Sequence, residues 1–195
     1  MKKNDANVEE FSKKSTAVSS TVVEAKDLAE AAAYALRLCS EKVFSRPASA
    51  GPHEGGKILA APGMPEDVFA RLAASGEAAG VEVIASGLRG RMDGIDVGFS
   101  LAEMGIAETG TLVMRCPGED VRLASMICET HVVALPKSRI VAASYDAEAF
   151  LREGMAAPTY TAFISGCSRT SDIERVLTLG VHGPLALHIV LTEEA

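Results

Sequence analysis

HVVALP (131–136) is the stretch on which the fold turns. It is apolar at consecutive positions instead of alternate ones, and Pro136 closes it. A strand with one face in water alternates, whereas a strand covered on both faces does not. TLVM (111–114) and LALHIVL (185–191) read the same way. Shorter strands are expected at Lys57–Ala61, Val81–Ala85 and Tyr160–Ser165. Helical segments stand between these runs. Pro65 opens one through Val68, Phe69 and Leu72, with Gly80 as its stop. Val121–Glu129, Asp146–Arg152 and Ser171–Leu179 give three more, the last ended by Gly180. A Gly-rich connection, SGLRGRMDG (86–94), leads to a short mixed segment around Val97–Met104. Strand and helix alternate, so the expected fold is α/β, a single domain with a largely parallel sheet covered by helices. In such sheets ligands bind outside the carboxyl ends of the strands.

Upstream of this alternation, residues 1–20 are polar and rich in Ser, Lys and Asn, which predicts a flexible N-terminal tail. Thr21 and Glu24 have capping-box spacing and predict a helix over 21–45. Its apolar face is Ala25, Leu28, Ala32, Ala35, Leu36 and Cys39. That face can pack within the domain, outside its core, or against a second copy of the chain. RPASAGPHEGG (46–56) is a loop by its Pro and Gly content. The domain itself is expected over 21–195.

Composition sets the outer limits. At 195 residues, 48% hydrophobic and 23% charged, the chain has the make-up of a folded domain. Such a domain buries roughly 70% of its unfolded surface and needs no disulfide or metal staple. A net charge of −7 disfavours a grip on a phosphate backbone, so nucleic acid is not an expected partner. No run approaches the ~20 apolar residues of a membrane span. The N-terminal charges lack the apolar stretch of a secretory signal, and a cytoplasmic location is expected. Cys39, Cys116, Cys128 and Cys167 are scattered, with no short ligand loop. The chain is therefore expected to hold no metal, iron–sulfur cluster or other cofactor of its own.

Three loops can carry chemistry. GIAETGTLVM (105–114) sets Gly110 between Thr109 and Thr111 directly before a strand. Backbone N–H groups and two hydroxyls of such a turn can receive an anion, with Glu108 at its mouth as acid, base or nucleophile. The same residues also make an ordinary tight turn with a solvated Glu108. ISGCSRTSDIERVLTLG (164–180) runs a strand into Gly166, then Ser168, Arg169 and Thr170, then a helix. That geometry attracts carboxylate or phosphate, and the Arg169 guanidinium suits either. Asp172 and Glu174 fit helix capping as well as function. Cys167 can have a lowered pKa in this turn or simply fill it. GVHGPLALHIVL (180–191) aims His182 from a tight loop, where it can carry a proton. His188 reads as a satisfied sheet residue, and His53 and His131 as structural or incidental.

AETGTL (107–112) paired with GCSRTSDIERVLTLGVHGPLALHIVL (166–191) resembles the LUD-domain family, over roughly Lys57 to the C-terminus. Where this chain has Cys167, a Pro commonly precedes the Ser-Arg pair in that family. The resemblance implies a fold similar to sugar-phosphate isomerases and CoA-transferases. It also implies a cytoplasmic, non-redox part in oxidising L-lactate to pyruvate. The partners it implies are lactate-utilisation proteins A and B, which carry the iron–sulfur clusters, together with a small anionic ligand; a homo-oligomer is compatible with it. Two functions follow as expectations. One is that non-redox subunit, binding a small anion or a partner protein. The other is a stand-alone acyl- or phosphosugar-handling enzyme, transferase- or isomerase-like, with Glu108 as nucleophile or base. In it, Thr109, Gly110, Thr111 and Arg169 hold the anion and His182 moves a proton. Both need Glu108, Arg169 and His182 to meet in one electropositive pit.

Overall fold

The centre of the sheet forms where apolar, β-branched runs can be covered twice. In the computed structural model, which describes residues 3–42, 56–91, 94–154, 156, 159–171, 178–180 and 182–193, HVVALP lies inside a nine-residue strand. The chain begins α1 (Lys3–Ala17), β1 (Ser20–Ala25), α2 (Leu28–Glu41), β2 (Lys57–Ala60), α3 (Glu66–Ala78) and β3 (Val81–Ile84). It continues β4 (Ile95–Leu101), β5 (Met104–Ile106), β6 (Thr111–Cys116), α4 (Glu119–Ala124), β7 (Cys128–Pro136) and β8 (Ile140–Val141). It ends α5 (Glu148–Gly154), β9 (Tyr160–Ile164), β10 (Arg169–Thr170), β11 (Thr178–Leu179) and β12 (Ala186–Thr192).

Six strands form the main sheet in the order β1-β12-β7-β4-β2-β3, and every neighbouring pair is parallel. The expected α/β fold with a largely parallel sheet is what the chain adopts. Alternate residues of β7 serve opposite cores, as the period of a strand requires. Val132 and Ala134 join Ala31, Ala35, Leu36 and Cys39 of α2 and Val68 and Leu72 of α3. Val133 and Leu135 face the other way, onto Phe11, Leu112, Met114 and Ile140, with Leu187, Ile189 and Leu191 of β12 beside them.

A second sheet covers this face. It has four strands in the order β8-β5-β6-β9, with β6 antiparallel to β5 and β9, and β5 parallel to β8. TLVM therefore belongs to this smaller mixed sheet and not to the parallel one. Its double-sided burial comes from α5 on the outside, where Val113 packs with Ala147, Phe150 and Leu151. The molecule is layered: α2 and α3, the parallel sheet, the small sheet with α1 beside it, then α5.

Several expectations are corrected. Residues 3–20, expected within a flexible tail over 1–20, are ordered elements of the fold. Lys3–Ala17 is helical, and Phe11 and Ser15 on its inner face have no exposed surface. One aromatic anchor among polar residues gives too weak a periodicity to read. The helix expected over 21–45 is, over its described residues 21–42, a strand followed by a helix. Thr21, Val22 and Val23 are β-branched and pair with β12, and the true N-cap is Asp27, which accepts from Glu30 N at 2.9 Å. This helix packs into the core, not outside it, burying Ala31, Ala32, Ala35, Leu36 and Cys39.

The mixed segment near Val97 is β4, paired with both β2 and β7. Asp96, Gly98 and Ser100 disguise it, yet all three are buried. A Cβ on Gly98 would stand 2.1 Å from Ala124 O, so the glycine lets α4 lie on the strand. The helix expected over 121–129 ends at Ala124, because β7 begins at Cys128. Thr178–Leu179, expected as helix, pairs antiparallel with Arg169–Thr170. Residues 172–177, which hold Asp172 and Glu174, lie outside the described residues, as does His53.

Candidate functional site

The two motif loops meet. Thr109 Oγ1 lies 2.7 Å from Thr111 Oγ1, and Thr111 Oγ1 lies 2.7 Å from Ser165 Oγ, at the end of β9. This hydroxyl chain exists because β6 and β9 are neighbours, with Leu112 opposite Ile164. Gly110 (φ 64°) and Gly166 (φ 81°) both adopt left-handed backbone, which glycine tolerates without a steric cost.

Both glycines are roofed by the N-terminal segment. A Cβ on Gly110 would stand 2.4 Å from Ser15 N, and one on Gly166 would stand 2.2 Å from Val18 O. Ser15 Oγ donates to Gly110 O at 3.3 Å. The Gly110 turn is therefore packed beneath α1; Gly110 and Thr111 are buried, and Thr109 is exposed.

Glu108 turns toward the loop after β8. Its Oε1 accepts from Ser144 N at 2.7 Å and from Ser144 Oγ. These bonds to the charged form hold its carboxyl below the usual carboxylate value.

Beside Ser165 opens a cleft of about 360 Å³. β9 and the Gly166–Ser168 turn form one wall. Ser125 and Met126 before β7, and His182–Pro184 before β12, form the other. His131 and Leu187 lie on the parallel sheet at its floor. The turns hold one another: Ser168 N donates to Pro184 O at 2.9 Å, Gly180 N to Ser168 O at 2.8 Å, and Leu185 N to Glu129 O at 2.9 Å. The cleft thus opens where β7 and β12 begin, not beyond the carboxyl ends where the α/β rule pointed. The small sheet lies across this face and walls the space in.

Of the residues expected to share one pit, Ser168 and His182 line this cleft. Glu108, Thr109, Gly110, Thr111, Arg169 and Thr170 do not. Thr111 reaches its rim only through Ser165. Arg169 is exposed on β10 and makes no ion pair among the described residues. Among the described residues no Lys, Arg, Asp or Glu lines the cleft, and the Arg122 guanidinium lies 5.4 Å over the ring of Tyr160, one of its lining residues.

His131, read from sequence as structural or incidental, lies on the floor of the cleft. It is 1% exposed, and its Nε2 lies 3.1 Å from Ser100 Oγ. Burial pushes the imidazole down to about 3, so it is neutral at physiological pH. Because β7 is apolar on both faces, alternation along the chain carries no sign of which cavity His131 meets. His188 is a satisfied sheet residue as expected, with Nδ1 2.7 Å from Tyr34 Oη. All four cysteines are buried free thiols; burial raises Cys39 and Cys128 to about 12. Among the described residues no cluster of His, Cys, Asp and Glu could hold a metal, and no helix is long and apolar enough to cross a membrane.

A smaller cleft of about 220 Å³ does sit at the carboxyl ends of β4, β7 and β12. Leu101, Ala134, Pro136 and Thr192 line it, with Glu103 and Arg139 at its side. Burial raises the Glu103 carboxyl, which accepts from Arg115 N at 2.8 Å.

Comparison with known proteins adds relatives to this geometry. The LUD domain family model matches residues 8–192. Lactate utilization protein C of Geobacillus thermodenitrificans (strain NG80-2) is 36% identical over 103 residues, 50% of this chain and 43% of that one. Lactate utilization protein C of Bacillus subtilis (strain 168) is 32% identical over 103 residues, 51% of this chain and 43% of that one. These matches span less than half the length of the curated relatives. A crystal structure of a DUF162 family protein from Deinococcus radiodurans shares the fold, with a TM-score of 0.58 at 16% identity. That likeness covers 97% of this chain and 98% of the other.

Proposed function

The chain belongs to the LUD-domain family, and on that footing we propose that it serves lactate utilization as the non-redox component of an iron–sulfur L-lactate oxidation system. In this reading it works in the cytoplasm beside lactate-utilisation proteins A and B, which carry the clusters. The relatives named for lactate utilization support the role. The observation that carries the site is the contact between the two motif loops, Thr111 Oγ1 to Ser165 Oγ at 2.7 Å.

The small anion of this reading is held by Arg169, beside the cleft. Arg169 follows Ser168 directly and is exposed without an ion pair among the described residues. A guanidinium so placed offers a carboxylate two parallel hydrogen bonds. Glu108, engaged by Ser144, acts here as a loop tie.

The test is genetic and biochemical. Deleting the gene should abolish growth on L-lactate and spare growth on pyruvate, and the tagged chain should co-purify with iron-containing partners. The Arg169→Ala protein should restore growth poorly and lose binding of L-lactate. Normal growth of the deletion strain on L-lactate would overturn the proposal.

A further inference from the structure

β9 is the last strand of the small sheet, and among the described residues no strand pairs with its outer edge. Every residue from Tyr160 to Ser165 lines the cleft of about 360 Å³. Successive side chains of a strand point to opposite faces, so a cavity that all of them touch runs along the strand's edge. Ala162 and Ile164 face the core between the two sheets, and Phe163 lies opposite Val113, on the side of α5. Tyr160 and Phe163 remain 48% and 51% exposed.

The ladder fixes which backbone groups meet the cleft. On β6, Arg115 N donates to Glu103 Oε2 at 2.8 Å and Val113 O accepts from Glu103 N at 3.0 Å, both toward β5. Backbone groups alternate in direction along a strand, so Leu112, Met114 and Cys116 turn theirs to β9. They stand opposite Ile164, Ala162 and Tyr160. Thr161 and Phe163 therefore turn N–H and C=O the other way, into the cleft, about 7 Å apart along the strand. Proteins blunt an open edge with charge, Pro or a covering element, yet YTAFI (160–164) carries neither charge nor Pro.

An extended polypeptide satisfies such groups in register. The opposite wall, which includes Met126 and Pro184, sets the edge inside a cleft that admits one strand and keeps out the sheet of a second copy. At the Tyr160 end the Arg122 guanidinium lies 5.4 Å over the tyrosine ring. Its ion-pair partner, Glu119 at 3.7 Å, is held by Arg89 as well, so this end favours a further carboxylate.

We propose that the cleft receives an extended segment of a partner protein, added antiparallel to β9, with an acidic residue at its carboxyl end beside Arg122. Its backbone pairs with Thr161 and Phe163, and its side chains alternate between the Leu187 floor and the Phe163 face. Neither the lactate reading nor Arg169 enters this proposal.

The probe is the acetylated, amidated hexapeptide TVTVTE, titrated into the full chain and followed by NMR. It should bind saturably, and N-methylation at every second residue should abolish binding while methylation at the residues between is tolerated. Thr161→Pro removes an N–H that β6 does not use. It should weaken the peptide at least about tenfold and leave the melting temperature near that of wild type. If that variant does not fold, the N-methyl series reads the same edge from the peptide's side. A peptide ending in Gln should bind about threefold more weakly, and Arg122→Gln should erase that difference. No saturable binding, or binding indifferent to Thr161→Pro and to N-methylation, would overturn the proposal. So would equal affinity of the Glu and Gln peptides. A dimer of the chain that Thr161→Pro dissociates would give the edge to a second copy and overturn it too.

Discussion

Gly110 and His131 show how much rests on single positions. Gly110 combines a positive φ with a backbone neighbour where a side chain would go. Neither Ser15 N nor Lys14 C, 2.4 and 2.7 Å from that Cβ, can yield without moving α1. Gly110→Ala should therefore cost upward of about 2 kcal/mol, read from the urea midpoint, and should loosen α1 toward proteolysis. His131 makes stability pH-dependent. Its folded value of about 3 lies below the ordinary 6.5, so the unfolded chain binds the proton more readily. Its contribution is fully present above 6.5 and is lost as pH falls toward 3, by at most about 1.4 kcal/mol per pH unit. His188, also lowered by burial and by Lys42, acts in the same direction. Comparing denaturation of His131→Leu with wild type between pH 6.5 and 3 isolates the His131 share. The variant should show the shallower slope.

At the scale of elements, α1 is the least expected piece and a central one. Phe11 reaches the core between the two sheets, beside Leu112, Met114, Val133 and Leu135. Phe11→Ala should cost about 3–5 kcal/mol by chemical denaturation, as for other fully buried aromatic residues. A change within about ±0.5 kcal/mol, the usual surface effect, would mean that the helix is not docked. β4 follows the same logic. Its Asp96 is buried because Oδ2 accepts from Ile58 N at 2.7 Å, tying the starts of two strands. Its Gly98 is small because α4 needs the space. Each polar or small residue answers a neighbour distant in sequence, so the strand reads as a mixed segment until those neighbours are known.

For the whole molecule, the two faces of the parallel sheet have different work. α2 and α3 cover one, and the small sheet and α1 cover the other, where the motif loops and the cleft lie. Within a net charge of −7, Arg169 is an exposed cation next in the chain to Ser168, which lines the cleft. The sequence by itself determined the parallel sheet, because runs such as HVVALP are stable only when both faces are covered. It also singled out the two loops that meet, since their glycines and hydroxyls suit no regular element. Only the tertiary structure decided that α1 roofs Gly110, that Glu108 turns to Ser144, and that His131 lies on the floor of a cleft. Those outcomes depend on which distant surfaces come into contact, and spacing along the chain carries no record of that.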